Sequence, residues 1–139
     1  MVTANGTRNV VIEGFCSSSW IAANAHEAAF VISDCEGCEA VLFDPLVVAQ
    51  LRSATLIIET HDGLVPGVSD ALQTLFSRTH DIRMYGHDGS RRASTRVLDF
   101  LTDRERQLAT QEARTPQLWL LCLPKTGPNR ALHRAVGER

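Results

Sequence analysis

Residues 28–39 read Ala28-Ala29-Phe30-Val31-Ile32-Ser33-Asp34-Cys35-Glu36-Gly37-Cys38-Glu39, an apolar run that stops at an acidic turn. Strands covered on both faces look like this, whereas strands with one wet face alternate. Ala54 to Ile58 (ATLII) repeats the pattern and ends at Glu59. Between them, Gly37 to Phe43 and Pro45 to Arg52 read as two short helical pieces split by Asp44-Pro45. Pro45 suits a first helical turn, where its missing N–H does no harm. The intervening residues leave room for the helical crossover that a parallel strand pair requires.

Working outward, Asn9 to Glu13 (NVVIE) is short and β-branched and predicts a strand ended by Gly14. Ser17, Ser18 or Ser19 then caps a helix from Trp20 to His26. Ser69 or Asp70 caps another through about Arg78, with Ala71, Leu72, Leu75 and Phe76 on one face. Ile82 to Tyr85 predicts a short strand, Gly86 to Ser94 a polar loop, and Val97 to about Ala113 a helix. Gln117 to Leu123 (QLWLLCL) is the last strand. Residues 1–123 then form one domain, and 124–139 a frayed tail rich in Pro, Gly and charge. Strands alternating with helices predict an α/β fold with a mainly parallel sheet.

At 139 residues the chain suits one compact domain. Its 44% apolar and 22% charged residues are ordinary globular values. A net charge of -2 argues against nucleic acid or an anionic membrane as partner, since both reward a basic surface. Arg91, Arg92 and Arg96 are the local exception and read as a solvated loop. No apolar run approaches the roughly 20 residues of a membrane span, and residues 1–9 hold no signal-type stretch. The expectation is a cytoplasmic protein with Cys16, Cys35, Cys38 and Cys122 reduced.

In open parallel sheets, ligands bind beyond the carboxyl ends of the strands. The two central strands end in Asp34-Cys35-Glu36-Gly37-Cys38-Glu39 and Glu59-Thr60-His61-Asp62. If they are neighbours, Asp34, Glu36, Glu59 and His61 converge on one rim. Crowded carboxylates beside a His can share protons, which makes a plausible acid–base site. Chains must also turn after buried strands, so polar residues there need no function at all.

Phe30 to Glu39 resembles the fourth strand and following loop of FkbM-type class I S-adenosylmethionine-dependent methyltransferases, which often show Asp-x-Glu-Gly-aromatic-Glu. Leu56 to His61 is similar to their fifth strand, which ends in Glu-x-His. Thr79 to Ile82 and Gln117 to Leu120 fit the sixth and seventh. The resemblance, from about Ala4 to Leu123, implies a truncated Rossmann-like class I methyltransferase fold. Its mainly parallel sheet would have about five strands and a C-terminal antiparallel strand. The family's order runs third, second, first, fourth, fifth, seventh, sixth. Asp34, Glu36, Glu59 and His61 would face a small-molecule methyl acceptor, and Phe15, Cys16 and Asp34 the cofactor. Two features depart from the family: Cys38 replaces the usual aromatic, and no G-x-G-x-x-G occurs in the chain. Ala4-Asn5-Gly6 would then end the family's second helix, with the glycine-rich cofactor half missing. The implied protein is a fragment that needs a partner chain or lacks activity alone.

The alternatives are a non-catalytic interaction scaffold and a metal or redox module on Cys35-x-x-Cys38. The flanking acids would raise those thiol pKa values, which disfavours the last. The leading assignment has no metal, though a hard-metal site on Asp34, Glu59 and His61 stays open. Loss of the family's first two strands would bare the sticky strand Ala28–Ser33. Either Asn9–Glu13 moves in beside it, or a second chain, in a homodimer or with another partner, pairs there.

Overall fold

The computed structural model describes residues 6, 8–87, 98–110, 117–128 and 130. Four strands form one sheet: β1 (Phe30–Ser33), β2 (Thr55–Thr60), β3 (His80–His87) and β4 (Gln117–Pro124). Their spatial order is β1-β2-β4-β3. β1 and β2 are parallel, with Ser33 opposite Ile58. β4 runs antiparallel to both β2 and β3, so it alone is reversed. Among the described residues the fold is α/β with a mixed sheet of four strands, where about five were expected.

The missing strand is Asn9–Glu13, which lies exposed without strand pairing. Val10, Val11 and Ile12 favour extended backbone, but a strand is stabilised by cross-strand partners, and this segment has none. It does not move in beside Phe30–Ser33. Among the described residues no strand pairs with the outer edge of β1.

Helices α1 (Ser18–Asn24), α2 (Glu39–Leu42), α3 (Pro45–Gln50) and α4 (Val68–Phe76) precede α5 (Asp103–Thr110). Ser17 accepts from the Trp20 amide and starts α1. Asp44 Oδ1 accepts from the Leu46 and Val47 amides, both at 2.8 Å, and starts α3 with Pro45 in its first turn. α4 is capped not by Ser69 or Asp70 but by Gly67, whose left-handed backbone (φ 80°) makes the turn. α5 starts later than the expected Val97, because Thr102 and Glu105 bond each other's backbone and side chain in a capping box that sets its start. Those bonds hold the exposed Glu105 carboxyl below its usual value.

The core gathers Ile21, Val47, Leu51, Leu72 and Phe76 from the helices against Leu56, Ile58, Leu120 and Cys122 of the sheet. Period-two alternation puts these four strand residues on one face. The opposite face carries exposed Phe30, Ile32 and Tyr85, so the apolar run of β1 is covered on one side only. β4 does not end in a frayed tail at once: the Lys125 Nζ donates to the Ser77 carbonyl at 2.7 Å. The expected loop with Arg91, Arg92 and Arg96, and the tail beyond residue 130, lie outside the described residues. No described helix is long and apolar enough to cross a membrane.

Candidate functional site

The parallel register carries the ends of β1 and β2 to the same edge of the sheet. Asp34 follows β1 directly. Glu36 sits in the turn after it with φ 53°, an uncommon backbone for a residue with a Cβ, and Gly37 continues at φ 101°. A side chain on Gly37 would be strained by that φ and would lie 3.3 Å from Leu64 Cβ. The turn therefore packs closely on the loop that follows β2. That loop begins at His61, whose carbonyl accepts from the Leu64 and Val65 amides.

His61 is only 4% exposed and stands between the two loops. Its Nδ1 lies 2.7 Å from Oε1 of Glu39, which is completely buried. Its Nε2 faces Glu36 Oε2 at 3.3 Å and Asp34 Oδ1 at 3.6 Å. Asp34, Glu36 and His61 thus meet as the residue pattern predicts. Glu59 lies in β2 opposite Trp119, one position past the Ser33–Ile58 pair and so level with Asp34. It is buried and has an interaction partner, but it is not among the clustered donor atoms of Asp34, Glu36 and His61. Sequence reasoning assigned no role to Glu39. Its partner is 22 positions away, and the only local signal is its place at the end of the acidic turn, where its carboxylate also accepts from the Cys35 amide at 3.4 Å.

Cys35 and Cys38 are joined as a disulfide, with Cα atoms 5.5 Å apart, so the expectation of four reduced cysteines fails for this pair. The bond closes the same turn that presents Asp34 and Glu36. Cys16 and Cys122 are free.

A cleft of about 440 Å³ runs along the outer edge of β1, with Cys16, Trp20, Ile21 and Val31 among its walls. Asp34 lines it as well and so belongs to both cleft and rim. Phe15 lies instead over a smaller hollow of about 130 Å³ that Cys16 and Cys38 share. Of the three expected cofactor contacts, Cys16 and Asp34 share the cleft and Phe15 does not. These residues do not fit a complete S-adenosylmethionine cradle. Among the described residues no glycine lines the cleft, so the close backbone approach of a glycine-rich loop is not supplied there. Comparison with protein-family models, curated proteins and solved structures found no match for this chain.

Proposed function

We propose that the chain supplies the acceptor side of a class I S-adenosylmethionine-dependent methyltransferase site and transfers no methyl group alone. The observation that carries this reading is the order and direction of the strands. The row β1-β2-β4-β3, with only β4 reversed, corresponds to the family's fourth, fifth, seventh and sixth strands. The acidic loops after the first two of these strands supply the rim.

Methyl transfer is an in-line displacement, so the protein's main task is alignment. Asp34 and Glu36 would accept hydrogen bonds from a small hydroxylated acceptor. Asp34 or His61 would take the hydroxyl proton. Glu39 would hold the imidazole in place. The donor's own contacts must come from a glycine-rich strand-loop-helix, in the same polypeptide or in a partner chain paired along the outer edge of β1. The Cys35–Cys38 disulfide favours one further reading, a rim whose geometry follows the redox state of that pair.

Calorimetric titration with S-adenosylmethionine tests the assignment. The 139-residue chain alone gives no binding heat, and a polypeptide carrying the glycine-rich half restores it. No binding in either case leaves a non-catalytic scaffold and overturns the proposal. Tight binding by the chain alone contradicts the division into two halves.

A further inference from the structure

The two nitrogens of His61 do different things. Nδ1 meets the buried carboxylate of Glu39 at 2.7 Å. That contact fixes the ring's orientation and leaves Nε2 as the nitrogen on the side of Asp34 and Glu36. Nε2 is buried and has no hydrogen-bond partner. It lies near the oxygens of two exposed side chains, Glu36 Oε2 at 3.3 Å and Asp34 Oδ1 at 3.6 Å. Neither oxygen meets hydrogen-bond geometry with it. A buried ring nitrogen without a partner beside two carboxylates is unfavourable unless a ligand or ion engages them together.

We infer that Asp34, Glu36 and His61 form a binding site for one first-row divalent cation. Their three donor atoms lie within 4.8 Å of one another. Two ligands bound at ~2.1 Å span at most roughly 4.2 Å, so the two exposed carboxylates close the site with small rotations. Two hard oxygens and one imidazole suit Mn²⁺, Fe²⁺ or Zn²⁺, while the imidazole discriminates against Ca²⁺ and Mg²⁺. Three protein ligands leave positions open for water or a ligand oxygen. Glu39 acquires a role here as a positioning residue, because a ligating His commonly gives its other N–H to a carboxylate, which sets tautomer and ring orientation. The site differs from the Asp34, Glu59 and His61 set open to sequence reasoning by exchanging Glu59 for Glu36.

This inference does not rest on the methyltransferase reading, and its test contains no S-adenosylmethionine. The chelator-stripped chain, with its disulfide intact, is titrated with MnCl₂ while the electron paramagnetic resonance signal of free Mn²⁺ is followed. The expected result is saturation at one ion per chain. D34N and E36Q change exposed positions, keep the fold, and each weakens binding by about tenfold or more, as loss of a ligand should at least match loss of its support. A thermal melt followed by circular dichroism checks the fold of each variant. Mn²⁺ raises the melting temperature of the wild type but not of D34N. The C35S/C38S variant still binds. Absence of saturable binding overturns the inference and assigns the cluster to an imidazolium ion pair. Binding that ignores D34N and E36Q places the ion elsewhere and overturns it equally.

Discussion

Glu39 accepts from both His61 Nδ1 and the Cys35 amide with a single oxygen, in complete burial. Replacing it strands a buried imidazole, and leaving such a group unpaired costs roughly 1–3 kcal/mol. E39A should lose about that much stability in urea denaturation, whereas E39Q, which keeps an accepting oxygen, should lose much less. Equal losses would show that the bond to His61 contributes nothing. At the same scale, burial pushes the Cys122 thiol up to about 12. Its ionisation therefore favours the unfolded chain. This contribution to stability is complete below pH 9 and is lost as the pH rises toward 12. Iodoacetamide at pH 8 should label exposed Cys16 and spare Cys122, as read by mass spectrometry of the native protein. Asp34, Glu36 and His61 were legible from sequence because each directly follows a buried strand or lies in its turn. Glu59 stands level with Asp34 along the sheet but is not among the clustered donor atoms of Asp34, Glu36 and His61. Glu39 was hidden because its importance lies in a contact across the fold.

Capping decides how the elements begin, and here the sequence was partly readable. Asp44 before Pro45 marks the start of α3, and the structure gives its carboxylate two amide donors. D44A should cost about 1 kcal/mol, measured as a lower urea midpoint with unchanged slope. No loss would mean that tertiary packing alone holds α3. Gly67 was overlooked as the cap of α4, because Ser69 and Asp70 are stronger cap formers by type. The left-handed turn at Gly67 overrides that preference by delivering the chain to α4 two residues earlier. Asn9–Glu13 shows the reverse error: its composition is right for a strand, but propensity without a neighbouring ladder does not form one.

For the whole molecule, the alternation of strands and helices announced an α/β sheet. It could not announce that β4 would enter between β2 and β3, since local pattern carries no information about spatial order. Nor could the apolar run of β1 say that helices would cover one face only, leaving Phe30, Ile32 and Tyr85 exposed on the other. What the arrangement achieves is the joining of two loops, 34–38 and 61–65, into one acidic edge over a buried histidine. The direct measurement is a residue-resolved ¹⁵N–¹H spectrum of the intact chain with substoichiometric Mn²⁺. If the two loops form a single working rim, amides of residues 34–38 and 61–63 broaden together and first, and D34N abolishes the effect at both. Broadening spread over separate surface carboxylates such as Asp70, Asp81 and Asp103, with those two loops unaffected, would contradict the account.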